Sequence, residues 1–243
     1  METKPIQVRF HHGRHGAFET PSDYQGAHDG YARTAMQTGL ADEHTRAFES
    51  MLSMAIRLDR QFGTAGAFPV GGVEDALAEA LSAAAHVEHT WAHDESALFS
   101  LDRAVIALGH WAMQHALEVR HPELWVNALA RRANAAETRQ DCAAIFALMQ
   151  GAIAHLEPAL NADLEKSNPE RPWRILNLNF AITAIRAGDT ALMRFAFDAL
   201  NRNLPLDAPG FYAEAAQQAG HPEFPAEHRA LIDQEVARWT VAH

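Results

Sequence analysis

WRILNLNFAITAIRAGDTALMRFAFDAL, residues Trp173–Leu200, is the stretch that predicts the fold of this chain. It holds two runs that are apolar on nearly every side of a helix, with Arg186-Ala187-Gly188-Asp189 between them. Helices that are hydrophobic all round are buried, and a short interruption makes two of them antiparallel neighbours. The stretch therefore predicts a central helical hairpin with other helices packed around it.

Helical segments separated by breakers extend over most of the remaining chain. From Val73 to Trp91 the apolar residues recur in steps of four and three, a heptad-like seam suited to packing against a neighbouring helix or a second copy of the chain. Residues 63–72, GTAGAFPVGG, contain four glycines and a proline and cannot continue a helix. We expect an all-α fold of roughly nine to eleven helices, stacked as antiparallel hairpins in an irregular bundle or a short solenoid. One domain would span residues 21–243, after an irregular arm over residues 1–20.

Composition and charge narrow the classes of function. The hydrophobic fraction of 48% is that of an ordinary globular protein. The formal charge of −11 opposes binding to nucleic acid and to anionic membrane surfaces. The single cysteine, Cys142, cannot form an internal disulfide, and the first residues lack the apolar segment of a secretory signal. We therefore expect a cytoplasmic protein that binds a protein or a small-molecule ligand, with a homodimer as a further expectation.

Histidine is unusually frequent, with fifteen residues in the chain. His86, His89 and His93 are spaced by three and four residues and share one face of a predicted helix. Neutral imidazoles in this arrangement could bind iron, zinc or copper. However, the apolar seam of the same helix lies nearly opposite to them, as expected for a solvated face. Both interpretations stay open from the sequence.

A second group of candidate metal ligands lies on the next predicted helix, Leu98–Val119, and just after it. Glu118 and His121 form a Glu-x-x-His pair, which di-iron carboxylate bundles use twice together with further carboxylates. This chain has one such pair, and its histidine precedes a proline. His110 and His115 complete the group. If the two helices are antiparallel, their histidine-bearing faces could line one groove and hold a transition metal such as iron or zinc.

A third polar group lies inside the apolar hairpin. Asn179, Thr183 and Arg186 share one stripe of the first helix. Buried amides, hydroxyls and guanidinium groups need hydrogen-bond partners. This stripe could bind a polar ligand or cap a neighbouring helix.

The sequence lacks the motifs of several enzyme classes, and two possible functions remain. The sequence has no dinucleotide-binding glycine fingerprint, no phosphate loop, no Gly-x-Ser-x-Gly and no His-Glu-x-x-His. The first function is a helical binding or interaction module without its own catalysis. The alternative is a histidine-rich, metal-dependent enzyme of the oxygenase type. The sequence assigns no catalytic or cofactor-binding residue beyond the metal candidates.

Overall fold

The computed structural model describes residues 22–63, 68, 70–160, 171–221 and 224–241, so the predicted arm over residues 1–20 lies outside the described residues. The described residues form ten α-helices and no strand, which confirms the all-α prediction and the expected number of helices. Within them, no helix combines the length and hydropathy that crossing a lipid bilayer requires. The helices are α1 (Tyr24–Thr38), α2 (Glu43–Phe62), α3 (Val73–Thr90), α4 (Glu95–Gln114), α5 (Glu123–Ala135), α6 (Arg139–Leu160), α7 (Pro172–Ala187), α8 (Thr190–Asn203), α9 (Ala208–Ala219) and α10 (Ala226–Val241).

The chain divides into two compact units. The amino-terminal unit contains the described residues of Glu19–Arg132 together with Ala154–Leu156. The carboxy-terminal unit contains those of Ala133–Ile153 and Glu157–His243. Each unit has its own buried apolar side chains.

In the amino-terminal unit, α1 packs against α2 and α4, and α2 packs against α3. Aspartate starts three of these helices, because a carboxylate accepts a hydrogen bond from an otherwise unpaired main-chain N–H of the first turn. Asp23, Asp42 and Asp94 are these caps of α1, α2 and α4. The predicted seam of α3 is confirmed as core, since Leu77 is 1% exposed and Trp91 is 3% exposed. These seam residues are buried within the chain itself.

The carboxy-terminal unit contains the predicted hairpin, now α7 and α8. Helix α7 is buried on nearly all sides, as its sequence predicts. Gly188 adopts φ +65 between the helices, and Asp189 caps α8 by accepting from the N–H groups of Ala191 and Leu192. The expectation that α8 is also buried all round is wrong, because Phe195 is 49% exposed on its outer face.

Helix α4 ends five residues earlier than the sequence predicts. It stops at Gln114, and Ala116 takes a left-handed conformation with φ 52. The chain then turns back so that the N–H of Leu117 donates to the carbonyl of Ala112 at 2.9 Å and the Leu117 side chain is fully buried. Burial of Leu117 therefore ends the helix before the proline at position 122 is reached, and the Glu-x-x-His pair lies outside any helix.

Candidate functional site

A group of polar side chains converges at one end of the amino-terminal unit, where α1 begins and where α2 and α4 end. Helix α1 supplies Tyr24, α2 supplies Asp59, and the last turns of α4 supply His110 and Trp111, followed by His115 at its cap. We call these five residues the Asp59 centre. The antiparallel course of the helices places them together, because the start of α1 and the ends of α2 and α4 meet there.

Asp59 lies at the middle of this centre and is almost fully buried. Its Oδ1 accepts one hydrogen bond from Trp111 Nε1 at 2.8 Å and another from His115 Nε2 at 2.9 Å. The Asp59 side chain is 9% exposed and that of His115 is 4% exposed. Because an ionised carboxylate only accepts, His115 must carry a proton on Nε2, and in its neutral form Nδ1 presents a lone pair.

The second carboxylate oxygen of Asp59, Oδ2, is buried and accepts no hydrogen bond from the residues that the structure describes. A buried acceptor that stays unpaired costs about 1–3 kcal/mol, and buried polar atoms are rarely left in this state. The centre therefore offers two acceptors, Asp59 Oδ2 and His115 Nδ1, to a molecule that brings hydrogen-bond donors.

A second chain of hydrogen bonds runs through Tyr24. Its hydroxyl donates to Gln114 Oε1 at 2.7 Å and lies 3.0 Å from His110 Nδ1. Since the single hydroxyl proton goes to Gln114, His110 Nδ1 donates to the phenolic oxygen. Burial raises the pKa of Tyr24, and the negative charge of Asp59 raises it further, so the phenol stays protonated. Burial lowers the pKa of His110 and favours its neutral form.

Aromatic rings cover one side of the centre. The ring of Phe68 lies parallel to that of Trp111, with centroids 5.8 Å apart and planes at 7°. The same ring lies 4.9 Å from the imidazole of His115. Gln114, at the end of the Tyr24 chain, is exposed to solvent. The centre thus combines buried polar groups, an apolar wall and an edge that reaches the surface.

Two of the seven predicted metal ligands, His110 and His115, belong to this centre. The structure places the three histidines of α3 elsewhere. His86, His89 and His93 are all exposed, and His86 stacks on His44 of α2 with centroids 4.2 Å apart. Their positions are those expected if this face of α3 is solvated.

The remaining two predicted ligands also face solvent. Glu118 and His121 are exposed in the segment after α4. The main-chain N–H of Glu118 donates to Glu74 Oε1 at 2.8 Å, and its carboxylate accepts from Arg120 Nε at 3.1 Å. In the part of the chain that the structure describes, no three His, Cys, Asp or Glu side chains are grouped so that they could hold a metal ion. The metal assignment of these residues stays a prediction.

The polar stripe of α7 has partners within the protein. Arg186 donates to the carbonyl of Ala136 at 2.6 Å and to that of Ala133, at the end of α5. Asn179 and Thr183 donate to carbonyls of their own helix at 2.8 and 2.6 Å. Of the two interpretations that the sequence leaves open, the capping of a neighbouring helix is what Arg186 does.

Sequence reasoning missed Tyr24, Asp59 and Trp111. A signal was present on α4, where His110 with Gln114 and Trp111 with His115 are four residues apart and thus share neighbouring faces. Asp59 gives no comparable signal, because a single acid near the end of an amphipathic helix is ordinarily solvated. Its burial depends on packing against two other helices.

Comparison with protein-family models, curated proteins and solved structures finds no match to this chain.

Proposed function

We propose that this protein is a helical binding module without its own catalysis, and that the Asp59 centre is its small-molecule site. The observation that carries the proposal is the buried Oδ2 of Asp59, which has no hydrogen-bond partner in the described part of the chain. A ligand that donates an N–H or O–H to this atom would recover the free energy that the unpaired acceptor costs. A cytoplasmic location is part of the same proposal, because the chain's one cysteine forms no internal disulfide.

The surroundings of Asp59 favour a particular class of ligand. The negative charge of this carboxylate, which also raises the pKa of Tyr24, attracts a cation. The parallel rings of Phe68 and Trp111 offer an apolar wall beside it. We therefore assign the site to a small primary amine with an apolar or aromatic body. The ammonium group would donate to Asp59 Oδ2 and to the lone pair of His115.

The test compares three probes of one shape. Benzylamine, benzyl alcohol and benzoate differ in the charge of one group, and each is added to the protein while the thermal midpoint is measured. Benzylamine should raise the midpoint, because a ligand at about 100 times its Kd adds about 2.7 kcal/mol to the free energy of unfolding. Benzyl alcohol should raise it less.

Two variants test whether the shift of the thermal midpoint arises from binding at Asp59. Asp59→Asn keeps the shape of the side chain and removes its charge, so the benzylamine shift should disappear. Glu79→Gln removes one carboxylate from the exposed surface of α3 and should leave the shift unchanged. If benzylamine shifts neither the wild-type protein nor Glu79→Gln, or shifts Asp59→Asn equally, the amine site at Asp59 is rejected.

The metal-dependent enzyme remains a second candidate, supported by one feature of the centre. Histidines that bind metals commonly donate their other ring N–H to a carboxylate, as His115 does to Asp59. Metal analysis of protein purified without a histidine tag tests it. Near-stoichiometric iron or zinc that is lost in His115→Ala and kept in His89→Ala would favour the enzyme at this centre. The opposite pattern would favour the predicted face of α3.

A further inference from the structure

A cavity in the carboxy-terminal unit has a different chemistry from the Asp59 centre. Its volume is about 390 Å³, within the range of small-molecule sites. The start of α6, the turn between α7 and α8, the end of α9 and the first turns of α10 line it. It is therefore formed by several elements of one compact unit and is large enough for a ligand the size of a substituted benzene ring.

The charges around this cavity oppose that of the whole chain. Among the lining residues that the structure describes, Arg139 and Arg186 are accompanied by one acid, Glu137, so these charged residues carry a net charge of +1 when histidine is neutral. The chain as a whole carries −11. A local excess of arginine in an acidic protein indicates a site for an anion, since guanidinium groups bind carboxylates and phosphates with paired hydrogen bonds.

Arg139 is the cation best placed to bind such a group. Among the described residues it has no ion-pair or hydrogen-bond partner for its side chain. Its guanidinium lies against the turn between α7 and α8, where a side-chain carbon added to Gly188 would come within 3.2 Å of Arg139 Cζ. Gly188 thus leaves room for the arginine at the edge of the cavity.

Buried polar and apolar groups complete the lining. His228 of α10 is 3% exposed, and a carboxylate oxygen of Glu227 lies 3.7 Å from its Nε2. Phe224 contacts this imidazole edge to face at 6.1 Å between centroids. Ile185 and the buried thiol of Cys142 add apolar surface. The cavity thus pairs cationic and imidazole donors with an apolar floor.

We propose that this cavity is a second ligand site, which binds a small organic anion with its carboxylate or phosphate on Arg139 and its apolar body against Phe224 and Ile185. This site goes beyond the amine site proposed above and lies in the other unit. The two sites therefore have opposite preferences for ligand charge.

Isothermal titration of the full chain with phenyl phosphate, benzoate and benzyl alcohol tests the proposal. Both anions should bind more tightly than the alcohol, whose weaker binding belongs to the Asp59 centre, and the tighter of the two anions identifies the preferred group. Arg139→Gln should weaken anion binding about tenfold or more, as expected for the loss of a charge-assisted hydrogen bond. Arg202→Gln removes one exposed positive charge of α8 that is away from the cavity, and it should leave the affinity within about twofold, as expected for a surface change.

The single thiol gives an independent measurement. Cys142 lines the cavity, so saturating phenyl phosphate should slow its alkylation by iodoacetamide in the wild-type protein and in Arg202→Gln. At the same concentration Arg139→Gln should be protected much less. The proposal is overturned if neither anion binds, if the alcohol binds equally well, or if Arg139→Gln and Arg202→Gln behave alike.

Discussion

Asp59 owes its place in the amino-terminal unit to two donors on one of its oxygens. Burying a carboxylate is costly unless it is paired and hydrogen-bonded. Trp111 and His115 meet part of that requirement at Oδ1, whereas no described residue donates to Oδ2. An apolar side chain at this position would leave the buried donors of Trp111 and His115 unpaired, and the ligand proposed for this centre would supply the missing donor to Oδ2.

His110, a half-buried histidine of the centre, should make the free energy of unfolding depend on pH. Burial lowers the pKa of His110, so below about pH 6.5 the unfolded chain binds a proton that the folded chain binds less readily. The free energy of unfolding should therefore fall as pH decreases from that value. His110→Asn should lose less stability than the wild-type protein between about pH 7.5 and 5.5. Urea unfolding at several pH values measures this, and exposed His89→Asn should follow the wild-type profile.

A strained residue next to His115 offers a second prediction. Ala116 adopts φ 52, a conformation that costs an L-residue about 1–2 kcal/mol and that glycine adopts freely. Ala116→Gly should stabilise the protein by about 1 kcal/mol in urea unfolding. Ala78→Gly, within α3, should destabilise it by a similar amount. A loss of stability in Ala116→Gly would mean that this turn is not strained.

Residues like these mark the limit of sequence reasoning about the site. The sequence placed His110 and His115 among the candidates because they lie on the predicted helix that also carries Glu118. Their partners Tyr24 and Asp59 lie 86 and 56 residues away along the chain, and no local pattern connects them. The assignment of Glu118 to a helix was wrong, because α4 ends at Gln114 and the chain turns back to bury Leu117.

Among the elements, α3 and α7 were predictable because their apolar residues follow helical periodicity for several turns. Helix α8 exposes Phe195 on the same outer face as the charged residues Arg194 and Asp198. Its high apolar content alone does not reveal that this face meets solvent. Periodicity thus locates long helices well. It does not show which side of a short, mostly apolar helix meets solvent, since neighbouring elements decide that.

The packing of α4 against α5 can be tested at Gly109. A methyl group on Gly109 would lie 2.3 Å from Trp125 Cε2, so the tryptophan ring occupies the space that any larger residue would need. Gly109→Ala should therefore destabilise the protein by about 1–3 kcal/mol, despite the better helix propensity of alanine.

A matched glycine provides the control. Gly30 lies within α1, and the nearest atom to an added methyl group is 3.5 Å away on the Arg103 side chain. Gly30→Ala should gain up to about 1 kcal/mol of stability from helix propensity. Equal gains in both variants would show that Trp125 does not pack against Gly109.

At the scale of the whole molecule, the two compact units each carry one proposed site. The amine site lies in the amino-terminal unit and the anion site in the carboxy-terminal unit. Compact units with their own cores often open separately, with different free energies. The amine and the organic anion should then protect the amides of different helices from hydrogen exchange. The helices that are protected would show which unit each ligand binds.

Hydrogen exchange of two core variants tests this division. Leu77 of α3 and Leu200 of α8 are 1% and 0% exposed, and truncating either to alanine should cost about 2–5 kcal/mol. If the units open separately, Leu77→Ala should accelerate amide exchange in α1–α4 and leave α7–α10 close to wild type, while Leu200→Ala does the reverse. Benzylamine should slow exchange in α1–α4 alone. Acceleration of all helices by either variant would mean that both units open in one cooperative step, and ligand protection would then extend beyond the unit that binds.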